Sequence, residues 1–68
     1  MSVMFDRNGE SGNIFRIMGN ATIILKLEGR AMDAKQMATR VTHSGSYEEA
    51  LEIIAEYVDL IDVTEETK

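Results

Sequence analysis

Apolar residues in the first half of the chain recur every three or four positions, which is the spacing of one face of an α-helix. The positions that share this face are Ile14, Ile17, Met18, Ala21, Ile24 and Leu25. Asn13 is suited to cap the start of the helix and Gly29 to end it. Because Phe15, Ile23 and Leu27 lie outside the stripe, the helix is apolar on more than one side. We expect it to be the central element or to face a second subunit.

Two shorter helices are predicted by the same criterion. The second runs from about Met32 or Asp33 to Thr42, with an apolar side made of Ala34, Met37, Ala38 and Val41. Ser46, followed three residues later by Glu49, predicts the start of the third, because each side chain of such a capping box can satisfy a backbone N–H. The apolar side of the third helix consists of Tyr47, Ala50, Leu51, Ile54 and Val58, with Ile53 and Tyr57 beside it.

The two ends of the chain have the pattern of short strands. Residues 3–5 are apolar and precede a turn that ends in Asn8 and Gly9. Residues 58–63 nearly alternate between apolar and acidic side chains. The predicted fold is mostly α: one small three-helix domain over residues 1–68, whose terminal segments pair as a short antiparallel two-stranded ribbon packed on the helices (α+β). A pure three-helix bundle is the alternative.

A chain of 68 residues is short for a self-sufficient core, which at this size rarely contributes more than about 3–5 kcal/mol. Cysteine is absent, and one histidine without thiolates cannot complete a four-ligand zinc site. We therefore expect a homo-oligomer, a dimer or larger, or a protein stabilised by a partner. The N-terminus lacks an export signal, and the longest apolar run, residues 23–25, is too short for a membrane span. Together with the absence of cysteine, this predicts a cytoplasmic protein.

The net charge of −5 is unevenly distributed. Residues 1–46 carry six basic and four acidic side chains, whereas residues 47–68 carry one basic and eight acidic. The basic residues are singly spaced, so direct nucleic-acid binding is not expected. One side of helix three carries Glu48, Glu52, Glu56 and Asp59. The last two oppose the helix dipole near its C-terminus. This conflict favours a basic counterpart, internal or external, and predicts a partner-binding surface.

No set of residues predicts catalysis. His43 lies between hydroxyl residues in a loop, but adjacency in sequence does not provide the geometry of a catalytic triad. Residues 6–10 resemble the first half of a calcium loop without its second half. The glycine-containing loop before helix one offers a helix N-terminus to an anion, with Gly12, Asn13 and Arg16 as candidate ligands. We expect a non-enzymatic protein that holds no metal and no cofactor.

Residues 6–19 read D-R-N-G-E-S-G-N-I-F-R-I-M-G. This segment resembles a G-N-x-F-x-x-M-G motif found in small uncharacterised proteins encoded by phages and prophages. Residues 44–47, S-G-S-Y, and 56–58, E-Y-V, match later features of that pattern, so the resemblance covers about residues 6–58. The segment from Met32 to Val41 departs most from it. The resemblance implies a phage gene product in the cytoplasm of the infected cell, without an assigned reaction.

The first functional hypothesis is a phage-type accessory protein that binds a host protein and inhibits a defence or metabolic complex. The contact would be the acidic face of helix three or an exposed helical patch. The second hypothesis is a homo-oligomer that sequesters a nucleotide or similar anion at the start of helix one, near residues 9–13. A purely structural oligomer is the third.

Overall fold

The fold consists of three helices and two short strands, in a computed structural model that describes residues 1–64. The elements are β1 (Ser2–Phe5), a 3₁₀ turn (Glu10–Gly12), α1 (Ile14–Leu27), α2 (Ala31–Thr42), α3 (Tyr47–Ala55) and β2 (Asp59–Asp62). The prediction of a mostly α fold with a small β part is confirmed. None of the helices within residues 1–64 has the length and apolar character that a membrane crossing requires.

Helix α1 begins and ends at the predicted residues. The Asn13 side chain accepts a hydrogen bond from the Phe15 N–H at 2.8 Å, as an N-cap does. At the other end Gly29 has a φ of +75°, and the Arg30 N–H donates to the Leu25 carbonyl at 2.7 Å. This is the six-residue closure of a Schellman motif, which favours glycine because an L side chain is strained at positive φ. The local sequence therefore suffices to define α1.

Helix α3 begins at Tyr47 after its predicted cap, whereas α2 begins slightly earlier than predicted. Helix α2 begins at Ala31, one or two residues before the predicted start at Met32 or Asp33. At α3 the Ser46 hydroxyl accepts from the Glu49 N–H at 3.1 Å, which confirms half of the capping box. The Glu49 carboxylate accepts instead from the Gly45 N–H, at 3.3 and 3.4 Å, and so bonds one residue beyond the expected partner. The helix ends at Ala55, and the chain then runs into β2.

The terminal strands pair in parallel, so the predicted antiparallel ribbon is wrong. Val3 lies opposite Leu60, and Met4 lies opposite Ile61. Three helices separate the strands, and each short connection turns the chain back. An odd number of intervening elements therefore returns β2 in the direction of β1, as in other crossover connections. Val3 and Phe5 are buried against the helices, whereas Met4 on the outer face is exposed.

The core is entirely apolar within residues 1–64, because no polar or charged side chain there is buried. Its buried members come from all three helices, from β1 and from Val58 just before β2. The largest fully buried side chains are Ile17, Leu25, Met37 and Ile54. The predicted stripe of α1 is confirmed, with Ile14 and Met18 half-buried at its edge. Phe15, Ile23 and Leu27 remain exposed, so α1 retains apolar surface that its own core does not use.

Candidate functional site

An apolar pocket of about 430 Å³ lies between the first half of α1 and the turn that joins α2 to α3. Its walls include the half-buried Ile14, Met18 and Tyr47 and the buried Val41 and Ala50. Phe15 also lines it and is 74% exposed, so its ring stands at the rim. We call this concavity the Phe15 pocket. Within residues 1–64, no charged side chain lines it.

The hydroxyl groups around the Phe15 pocket already have backbone partners. Thr42 Oγ1 donates to the carbonyl of the residue four positions earlier at 2.8 Å, and Ser44 Oγ donates to the Val41 carbonyl at 2.6 Å. Ser46 Oγ is occupied as the cap of α3. Among residues 1–64, none of the three is bonded to a basic side chain that could activate it as a nucleophile. The arrangement is suited to holding an apolar group.

Two distant segments of the chain meet at this pocket. Phe15 and Met18 belong to α1, and Ser44 and Tyr47 belong to the segment that begins α3. The Tyr47 hydroxyl donates to the Gly12 carbonyl at 2.5 Å, which joins the two segments directly. Residues from segments 14–18 and 44–47 therefore line one site.

Arg7 holds the region behind Tyr47 together. Its guanidinium lies 6.0 Å from the centroid of the Tyr47 ring and donates from Nε to Asp62 at 2.8 Å. It also forms an ion pair with Glu48 at the start of α3. Burial raises the pKa of Tyr47, and the positive charge of Arg7 opposes that rise. Tyr47 is thus kept as a neutral phenol whose position is set by its bond to Gly12.

The predicted partner-binding face has internal cationic partners for two of its four carboxylates. The four are Glu48, Glu52, Glu56 and Asp59. Beyond the pair with Glu48 already described, Arg40 donates two bonds of 2.9 Å to Glu56 and one of 3.1 Å to the Tyr57 hydroxyl. These bonds from Arg40 lower the pKa of Glu56 and raise the pKa of the guanidinium. Glu52 and Asp59 are exposed and pair with no cation within residues 1–64.

The predicted anion-binding residues are close together but are occupied by the fold. The Asn13 side chain caps α1 where an anion would bind, and the Gly12 N–H donates to the Gly9 carbonyl at 3.0 Å. Arg16 lies 3.9 Å from the Glu10 carboxylate, which offsets its charge. A Cβ on Gly12 would lie 2.3 Å from the Asp6 carbonyl oxygen. Close approach of the preceding loop therefore explains this glycine without an anion.

The remaining candidate residues have local structural roles. His43 Nδ1 lies 2.8 Å from the Thr39 carbonyl at the end of α2. Asp6 accepts from the Asn8 N–H at 2.9 Å, so the half calcium loop is an ordinary turn. Within residues 1–64 there is no group of three histidine, cysteine or carboxylate side chains that could hold a metal ion. The Phe15 pocket itself was not predicted, although the position of Phe15 outside the α1 stripe was its one sequence signal.

Comparison with models of known protein families, with curated proteins and with solved structures gives no match.

Proposed function

We propose that this chain is a non-enzymatic binding protein of the phage accessory type, which holds an apolar side chain of a host protein in the Phe15 pocket. The observation that carries the proposal is the pocket itself, an apolar concavity with a largely exposed aromatic ring at its rim. Its volume of about 430 Å³ is in the range of ligand pockets. Exposed aromatic side chains next to apolar concavities are typical of the residues that dominate protein interfaces.

The chemistry of the lining favours an apolar side chain over a polar metabolite. A nucleotide or other anion would need cationic or free N–H partners. In the part of the chain that the structure describes, the lining has no charged residue, and the hydroxyls of Thr42, Ser44 and Ser46 are already bonded. Glu49 follows Tyr47 in the first turn of α3 and pairs with no cation within residues 1–64, so a host segment with a basic residue beside its apolar anchor would suit the site. The small size and net negative charge of the chain support inhibition of a defence or metabolic complex as the result of this binding.

Photo-crosslinking from within the pocket tests the proposal. Benzoylphenylalanine in place of Phe15 should label one protein in a lysate of a bacterial host, because the aromatic probe occupies the proposed contact. Excess wild-type chain should suppress the labelling, whereas excess Phe15→Ala chain should not. The same probe in place of Glu52 examines the acidic face of α3 in a parallel reaction.

Three results are informative. Competed labelling from position 15 alone supports the Phe15 pocket. If excess wild-type chain suppresses labelling from position 52 alone, the contact lies on the acidic face of α3, and the pocket proposal is refuted. If excess wild-type chain suppresses labelling at neither position, the proposed binding function is wrong. Because Phe15 is 74% exposed, Phe15→Ala should fold normally and lower the affinity for the labelled protein by roughly 30-fold, the loss typical of an interface hot spot.

A further inference from the structure

A second apolar surface covers the outer face of the sheet and the adjoining side of α1. Five of the eight large apolar side chains exposed within residues 1–64 belong to it. They are Met4, Ile23, Leu27, Ile61 and Val63. We call this surface the α1–sheet patch. It does not include the lining of the Phe15 pocket, which lies at the other end of α1.

The central members of the α1–sheet patch are neighbours in space. Met4 lies opposite Ile61 in the strand register, so both side chains are on the same face of the sheet. Met4 and Ile23 line one groove, together with the uncharged Ser2 and Asn20. Leu27 is four residues beyond Ile23 on α1 and therefore extends the same side of the helix. The patch thus runs from the sheet across the groove and along α1.

An exposed outer face is unusual for parallel strands, which occur in proteins almost always with both faces covered. Here the inner face is covered, since Val3 and Phe5 are 5% and 3% exposed. On the outer face Met4 is 65% exposed and Ile61 is 43% exposed. A two-stranded sheet is also marginal without further packing. The fold therefore has one uncovered layer, and exposed apolar surface of this kind marks a site of association.

We infer that a second copy of this chain covers the α1–sheet patch and forms a two-fold symmetric dimer. A stable interface takes roughly 800 Å² from each partner, about a sixth of the 4754 Å² of this molecule. Helix α1 is roughly 21 Å long, and the helix with the two strands beside it is on the order of 20 Å wide. The flat footprint is then roughly 400 Å², about half of the required area, and the side chains that stand on it, which are 43–71% exposed, add accessible area beyond this footprint.

Charge also favours a second copy at this surface. Although the chain has a net charge of −5, the residues between 1 and 64 that line the groove at the centre of the patch are all apolar or uncharged polar residues. Asp59 shares the outer face with Ile61 but lies at the start of β2, opposite Ser2, and the acidic side chains of α3 belong to a different element, so the centres of two patches can meet without like-charge contact. In a two-fold dimer the residue nearest the axis meets its own copy. Ile23 lies between Met4 and Leu27 and is the residue expected at the axis.

Light scattering on the intact chain at several concentrations tests the dimer. The expected mass is twice 7.6 kDa over the micromolar range, and Ile23→Glu should reduce it to 7.6 kDa. Met32→Glu is the matched control, because Met32 is exposed at 85% outside the patch and an acid is favourable at the start of α2. This variant should remain dimeric. Circular dichroism verifies that both variants keep their helices.

Cysteine crosslinking tests the position of the axis, since the natural chain has no cysteine. Under mild oxidation Ile23→Cys should form a disulfide-linked dimer at low protein concentration, whereas Gln36→Cys on the exposed side of α2 should not. A monomeric wild-type chain would overturn the inference, as would a dimer whose mass Ile23→Glu leaves unchanged. Crosslinking that is no faster at position 23 than at position 36 would overturn the two-fold arrangement. Phe15→Ala should leave the mass unchanged, so this test is separate from that of the pocket.

Discussion

Gly12→Ala should be among the most damaging single substitutions outside the core. A Cβ at this position would lie 2.3 Å from the Asp6 carbonyl oxygen and 2.8 Å from the Arg7 Cα, so backbone has to move. Overpacking of this kind costs typically about 1–3 kcal/mol, and the rigid backbone partners place Gly12 at the upper end. Arg7 is tied to α3 and β2 through Glu48 and Asp62, so its displacement disturbs those contacts as well.

Gly19→Ala is the matched control within the same motif. Gly19 lies inside α1, and an added Cβ there meets nothing within 4 Å. Alanine is favoured over glycine inside a helix by about 0.5–1 kcal/mol. For a domain of this size, 1 kcal/mol corresponds to a shift in Tm of about 4–8 °C. Gly19→Ala should therefore raise Tm by several degrees, whereas Gly12→Ala should lower it by about 10–20 °C.

Urea unfolding followed by far-ultraviolet circular dichroism measures the change in the free energy of unfolding for each variant. The protein concentration is kept low enough for the chain to be monomeric. A Gly12→Ala protein as stable as the wild type would refute the close approach of residues 6–7. If Gly12 instead served an anion, the substitution would leave stability unchanged and abolish stabilisation by inorganic phosphate. The two explanations of the glycine thus predict opposite results in one experiment.

Three further predictions concern the core and the ion pairs. Met37→Ala removes a fully buried side chain and should lower the free energy of unfolding by about 2–5 kcal/mol in urea titrations, whereas Met32→Ala should change it by less than about 0.5 kcal/mol. Arg40→Met should lower Tm at low salt and much less in about 1 M salt, because the pair with Glu56 is exposed and screened; equal losses would contradict this explanation. Bonds from Arg40 to Glu56, and from Thr64 and Arg7 to Asp62, lower the pKa of each carboxyl below its ordinary 4.5 or 3.8. The stabilisation from these two ionised carboxylates is therefore present above those values and is lost as pH falls from about 5 through the folded-state pKa. Glu56→Gln should therefore reduce the fall in Tm on acidification.

The helices could be predicted because their determinants are local. The cap at Asn13, the positive φ of Gly29 and the hydroxyl of Ser46 each act within a few residues, and all three are confirmed in the structure. The periodic stripes identified the core side chains for the same reason, since one face of a helix is defined by spacing alone. The apolar residues 3–5 and the nearly alternating residues 58–63 were also correctly predicted to contain strands.

Strand orientation depends on the path of the whole chain and is not encoded in either strand. Residues 2–5 and 59–62 would pair equally well in both directions by composition, and only the number of intervening helices makes them parallel. The ion pairs are hidden for a similar reason. Arg7 and Glu48 are 41 residues apart, and Arg40 and Glu56 are 16 apart, so no spacing rule connects them. The acidic face of α3 looked unsatisfied in sequence because its arginines come from elsewhere.

The surplus of apolar residues on α1 is the feature that sequence and structure share and that explains both proposed surfaces. One face of α1 is consumed by the core, which leaves Phe15 near the start of the helix and Ile23 and Leu27 in its second half. Burial of an exposed side chain of this size would stabilise the protein by roughly 1.5–3 kcal/mol. The core of a chain this small contributes only about 3–5 kcal/mol to the free energy of unfolding. Covering the second half of α1 would therefore stabilise the chain more than most internal contacts do. Covering that half with a second copy leaves Phe15 available, so self-association and partner binding can use one helix without competing.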